Sequence, residues 1–450
     1  MIYTEFISKL SNRFVFIVIS LIIIAIIIDT SIIKISGFTR DRPSPSVDII
    51  IFTLMVLVYA VGQYLILGFV KCKINESITG EQRYLNVIHK VVSIVQYVLT
   101  AILVSIILQM IITSGYDIFL VKLVIWISYS ISIVVLGLLA RRFFSWFKSQ
   151  RNYVVLAYAL AISVISINAG FTLLYVDDVM YDTSTFIGPH IGGSVFSFSH
   201  PTSIFHSGYL VTSVLSFILM WIATALILYH YSKKLGRGKY WIVVSIPLVY
   251  FLFQFQPFFL SLFTLLLKSD TLFFSIILTL VFSVSKPVGG VLFGIAFWSV
   301  ARSIRRSAVR DYMIISAFGF MLLFTSNQAT VLITAPYPPF GLATVSFMVL
   351  ASYLISIGVY SAAVSIAQDV KLRQSLRKSV EQQSNLLDNI GTSQMEQEVQ
   401  KKVVKVMKEL SYQTEEKTGI QKSLEEQDIK EYLNKVIAEV KEKREEQGNR

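Results

Sequence analysis

The sequence predicts an all-α polytopic membrane protein of about ten transmembrane helices, N- and C-termini cytoplasmic, with a C-terminal cytoplasmic helical, coiled-coil-like tail. Three observations carry this. The 450-residue chain is 54% hydrophobic and only 15% charged, with mean hydropathy +0.65, where soluble domains carry about 25% charged residues. Its apolar residues come in long blocks, and a block of about 20 spans a roughly 30 Å hydrocarbon core at 1.5 Å per residue. Its basic residues fall on alternating sides of those blocks.

The blocks predict helices near 14–33, 49–70, 91–113, 117–140, 152–175, 208–231, 241–267, 271–301, 312–334 and 341–366. One set of flanking segments holds Lys9 and Arg13, then Lys71, Lys73, Arg83 and Lys90, then Arg141, Arg142, Lys148 and Arg151. It continues with Lys233, Lys234, Arg237 and Lys239, and with Arg302, Arg305, Arg306 and Arg310. The opposite set holds Lys34, Arg40, Arg42 and Lys268. The bias of 18 against 4 puts the first set in the cytoplasm by the positive-inside rule. One missed helix would scramble the alternation, so the pattern supports the count too. The first helix follows Lys9 and Arg13 without a small-residue cleavage pattern and reads as an uncleaved anchor. The expected location is the cell membrane, integral and multi-pass.

Two domains follow: residues 1–366 in the membrane, with an exterior loop at 176–207, and residues 367–450 as the tail. The net charge of +12 belongs to the first, because the chain from Asp369 onward carries 16 basic and 16 acidic residues. A basic membrane domain with a neutral tail points to anionic lipid headgroups as a partner and away from nucleic acid. The single cysteine, Cys72, excludes an internal disulfide and reads as a free thiol.

In the tail, Leu376, Val380, Leu387 and Ile390 recur at helical spacing, Gly391 interrupts, and Val399, Val403, Val406 and Leu410 form a short a/d seam. A further helix is expected from Ser423, whose spacing to Glu426 is that of a capping box. Residues 370–446 are therefore a candidate surface for a cytoplasmic protein partner or a homodimer. A solvated tail folding back on itself fits the same pattern.

The stretch VFSVSKPVGG, 281–290, places Lys286 inside a membrane block beside Pro287, Gly289 and Gly290. Proline removes a backbone donor and glycine frees the chain, so Pro287, Gly289 and Gly290, with Pro257 of the preceding block, are candidate hinge residues. Lys286 is expected near the midplane, with Gln254 and Gln256 of the neighbouring hairpin helix close in depth. No acidic residue is expected at that depth. An unpaired lysine there must be neutral, face water, hold an anion, or bond to carbonyls. The missing carboxylate also speaks against a retinal Schiff base. Asn168, Asn327 and Gln328 lie higher, as helix–helix glue or as the lining of an outward vestibule.

The exterior loop has no Lys or Arg but holds Asp177, Asp178 and Asp182 with His190, His200 and His206. Imidazoles with carboxylates suit a divalent metal such as Zn²⁺, or a pH sensor. The spacings fit no fixed motif, and packing of the histidines among phenylalanines is the plainer alternative.

The chain lacks GxxxxGK[ST], GxGxxG opening a helix, HExxH and CxxC, and no histidine follows His230. It is not expected to be an enzyme. The passage from the last membrane helix into QDVKLRQSLRKSVEQQSNLLDNIG resembles the architecture of archaeal multi-pass sensor proteins. That resemblance implies a membrane helix continuing into a signalling helix, although the kinase modules of such proteins are missing here. The expected function is a membrane sensor or scaffold that couples an exterior or intramembrane ligand site to the tail. The competing expectations are a transporter or channel for an anion or polar solute with Lys286 at its site, or a subunit of a larger membrane complex.

Overall fold

The computed structural model describes residues 12–36, 45–76, 82–180, 186–188, 204–229, 232, 236–253, 271–304, 308–327, 337–370, 372–374 and 382–418. Within them the helices are α1 (Asn12–Ser36), α2 (Pro45–Glu76), α3 (Gln82–Thr113), α4 (Ile118–Ser149), α5 (Tyr153–Val179) and α6 (Ile204–Leu228). The order continues with α7 (Arg237–Phe253), α8 (Thr271–Ser303), α9 (Ala308–Ser326), α10 (Leu342–Gln368) and α11 (Gln382–Thr418). Eight of these, α2 to α6 and α8 to α10, are long and apolar enough to cross a membrane. The apolar part of α1, Ile17–Asp29, is shorter, and the predicted block 241–267 is described only as far as Phe253. The capping box at Ser423 lies outside the described residues.

Among the described residues the structure departs from all-α at one place. Strands β1 (Tyr116–Asp117) and β2 (Phe186–Ile187) pair antiparallel, Tyr116 opposite Ile187. This ladder ties the α3–α4 turn to the segment after α5. Asp117 also caps α4, its carboxylate accepting from the Phe119 N–H at 2.9 Å.

Helix α10 is the centre. It touches α1, α2, α3, α4, α9 and α11, and its apolar window is 94% buried. A helix apolar on every side needs such enclosure. Small residues let α9 and α10 approach closely, as membrane helices do where lipid offers no hydrophobic drive. A Cβ on Gly358 would lie 2.6 Å from the Tyr312 carbonyl oxygen, and one on Gly319 would lie 2.7 Å from the Ile355 nitrogen. These contacts pair Tyr312 with Gly358 and Gly319 with Ile355, so the two helices run antiparallel.

The contacts sort the helix termini into two ends. At one end Lys73, late in α2, bridges Asp311, early in α9, at 3.0 Å. At the other, buried Asp29 on α1 accepts from the Gly341 N–H at 3.1 Å and the Thr344 hydroxyl at 2.6 Å, capping α10. Removing this carboxylate strands two buried donors, each costing about 1–3 kcal/mol. Asp29→Ala is expected to lower thermal stability by about that much in a fixed detergent. Asp29→Asn, which keeps an acceptor, should recover part of the loss.

Helix α11 is continuous through Gly391, which corrects the reading of that residue as an interruption. Gly391 lies directly against Ile366 of α10. The first turns of α11 bury Leu386, Leu387 and Ile390. Trp146 of α4 donates its indole N–H to Gln394 at 3.2 Å, and the Ser393 hydroxyl donates to the Trp146 carbonyl at 3.1 Å. Further along, Val399 and Val406 of the a/d seam are exposed.

Candidate intramembrane polar site

Lys286 sits in α8, which runs unbroken through Pro287. The glycines that follow serve packing in this structure. A Cβ on Gly290 would lie 2.9 Å from Phe324 Cβ and 3.1 Å from the Met321 carbonyl oxygen, and Gly289 faces the Phe217 ring. Close approach of α6 and α9 to α8 therefore accounts for both glycines.

The Lys286 ammonium lies 3.4 Å from the Tyr209 hydroxyl, 3.5 Å from the Asn327 carbonyl oxygen and 5.6 Å from the Tyr209 ring centre. Both oxygen distances are at the outer edge of hydrogen bonding, whose usual N–H···O length is about 2.9–3.0 Å. An ammonium has three donors, and among the described residues its two oxygen contacts are both long. Tyr209 is in the second turn of α6, and Asn327 directly follows α9. A helical Cα–Cβ bond tilts toward the helix N-terminus, so the lysine stem rises along α8 to meet these residues.

A second tier holds the site together. The Asn168 amide donates to the Tyr209 carbonyl at 3.1 Å and is 3.0 Å from the Thr212 hydroxyl. The Asn327 amide donates to Asn168 Oδ1 at 3.2 Å, and the Tyr129 hydroxyl donates to Asn327 Oδ1 at 3.4 Å. Asn168 is 1% exposed, which leaves its amide dependent on protein partners. Tyr209 stacks on Tyr175, and His206 packs its ring 5.0 Å from the same tyrosine.

The structure thus joins three of the sequence-predicted residues, Lys286, Asn168 and Asn327, in one cluster built from α4, α5, α6, α8 and the end of α9. Gln254, Gln256, Pro257 and Gln328 lie outside the described residues, as do His190 and His200. His206 belongs to the first turn of α6. Among the described residues no group of three or more His, Cys, Asp or Glu side chains comes together as a metal site. Sequence reasoning missed Tyr209, Thr212 and Tyr129, although the i, i+3 spacing of His206, Tyr209 and Thr212 put them on one face of α6.

Other buried polar links join different helices. The Tyr59 hydroxyl donates to Gln96 at 2.6 Å, between α2 and α3, and Gln63 donates to Thr100. His89 Nδ1 is 2.9 Å from the Tyr353 hydroxyl, between α3 and α10. These are interhelical struts. The Lys286 cluster differs in carrying a charge.

Site and tail lie at opposite ends of the bundle. Asn327 follows the C-terminus of α9, while α11 docks beside Ile366 near the C-terminus of α10, which is antiparallel to α9. The 19 residues of α9 separate them by about 28 Å. These features define a polytopic α-helical membrane protein with a polar cluster near one end and a helix docked at the other. Compared with known proteins, the chain matches no family model, no curated protein and no solved structure.

Proposed function

We propose that the chain crosses the bilayer ten times with both termini in the cytoplasm, and that it is a membrane sensor or scaffold coupling the Lys286 site to α11. The observation that carries this reading is that α5, α6 and α8, which bear Asn168, Tyr209 and Lys286, also contact α11. Rigid helices that hold a site at one end and a docked element at the other can pass on a small displacement. The loosely held ammonium is the responsive part. A ligand offering an oxygen acceptor or an anionic group would draw it from Tyr209 and Asn327, shifting α6 against α8. The seam at Val399 and Val406, left exposed, is where a cytoplasmic partner or a second copy would engage.

A second reading, transport of an anion or polar solute, is favoured by Lys286 itself. Its contacts among the described residues are to Tyr209 and Asn327, neither of which is a carboxylate. The two readings separate by experiment. Affinity purification from native membranes, with quantitative mass spectrometry, compares the full chain with a truncation ending at Glu381. A sensor or scaffold should lose a protein partner on truncation. If partners are unchanged, and the truncated protein supports solute flux in vesicles that Lys286→Ala abolishes, the sensor reading fails and transport replaces it.

A further inference from the structure

A large cavity lies on the α11 side of the bundle and belongs to neither the Lys286 cluster nor the coupling argued from it. It encloses about 1370 Å³ between α3, α4, α10 and α11. Small-molecule sites usually occupy about 300–1,000 Å³, so this space suits something larger.

Its lining has two zones. Toward the membrane the walls are apolar, from Val87 and Val91 of α3 and Val134 and Leu138 of α4. Each of these four is more than half exposed, so the groove is open along the surface that faces hydrocarbon. Beyond them the lining turns basic, with Arg141 and Arg142 from α4 and Lys401 and Lys405 from α11. Among the described residues no acidic side chain lines it. The Arg142 guanidinium rests 5.5 Å from the centre of the Tyr360 ring, which fixes it at the mouth. Helix α4 makes this placement possible. Its 32 residues reach about 48 Å, well beyond the hydrocarbon core, so Arg141 and Arg142 fall at the headgroup level.

We infer that this groove binds one anionic diacyl phospholipid, with an acyl chain along the valine and leucine walls and the phosphate among the four cations. Lateral access through an apolar wall selects a lipid over a free phosphate, which needs no such wall. The absence of acidic side chains from the described lining selects an anionic headgroup over a zwitterionic one, whose ammonium would meet four like charges. Because two of the cations belong to α4 and two to α11, the headgroup bridges bundle and tail. The tail would then be held by the composition of the leaflet as well as by its own contacts with Trp146 and Ile366.

Native mass spectrometry of the full-length protein in detergent tests this with equal additions of phosphatidylglycerol and phosphatidylcholine of the same chain length. One phosphatidylglycerol should be retained in preference by about tenfold. Glycerol phosphate and inorganic phosphate, added in excess, should not displace it. The variant R141Q/R142Q/K401Q/K405Q should lose the preference. The variant K148Q/R151Q/R302Q/R310Q, which removes as much charge outside the groove, should keep it. A milder variant, K401Q/K405Q, alters only exposed tail residues and should weaken retention without touching the bundle. Equal retention of both lipids, loss in both fourfold variants alike, or displacement by free phosphate would overturn the inference. These outcomes do not depend on Lys286, so the sensor reading can fail while this one stands.

Discussion

Gly358→Leu is expected to cost about 3 kcal/mol or more and to leave little protein intact after extraction. A Cβ at position 358 would stand 2.6 Å from the Tyr312 carbonyl oxygen and 2.9 Å from the Ser316 nitrogen. Both are backbone atoms of α9, which cannot turn aside as a side chain can. The only relief is to part α9 from α10. That separation would open the crossing of the two most buried membrane helices, 78% and 94% enclosed along their apolar windows, and lose the dispersion contacts that hold them. Gly238→Leu is the control, because no described atom lies within 4 Å of a Cβ there. Its effect should stay within about 0.5 kcal/mol. Thermal unfolding of both variants in one detergent checks this. Equal midpoints would mean that the α9–α10 contact is not the close packing described.

The membrane helices were legible because bilayer thickness imposes a length and apolar composition that few other structures share. Their ends were less so. α2, α3 and α4 each continue to 32 residues, past the apolar block into polar sequence, because a helix bonds its own backbone and does not need to end where the bilayer does. Gly391 shows the limit most clearly. A glycine between two apolar patterns reads as a break, yet here its missing side chain is what admits Ile366. The residue type records a need for space or for unusual backbone angles, and only the neighbour decides which. Glycines 289 and 290 follow the same rule. The β1–β2 ladder is two residues long on each side, too short to leave a period.

At the polar site, single residues were visible and their assembly was not. Lys286, Asn168 and Asn327 stand out because polar groups are costly in hydrocarbon. Their meeting depends on how α5, α8 and α9 pack, which no local pattern encodes. Tyr209 escaped notice because tyrosine is common in membrane helices. Arg141 and Arg142 were read for topology alone. Their place in a groove emerges only when α11 folds back to bring Lys401 and Lys405 beside them.

Lys286→Met is expected to raise thermal stability, by about 1 kcal/mol, while abolishing whatever response the site produces. A lysine within a membrane helix costs up to about 2.5–3.5 kcal/mol on insertion scales. Against this stand, among the described residues, two contacts at 3.4 and 3.5 Å and one aromatic ring at 5.6 Å. Contacts of that length recover only part of the cost. Methionine keeps the stem length and the helix propensity and removes the charge. Asn168→Ala should behave in the opposite way. Its amide ties the Tyr209 carbonyl, Thr212 and Asn327 together, and deletion strands buried partners at about 1–3 kcal/mol. A residue kept for function against stability and a residue kept for stability thus give thermal shifts of opposite sign. Hydrogen exchange on α11 supplies the second readout. If the site governs the tail, Lys286→Met should change amide protection over residues 386–397 while the bundle grows more stable. A Lys286→Met protein destabilised as much as Asn168→Ala, with α11 protection unmoved, would make the lysine a strut like Gln96 and His89. The responsive site would then have to be sought elsewhere in the bundle.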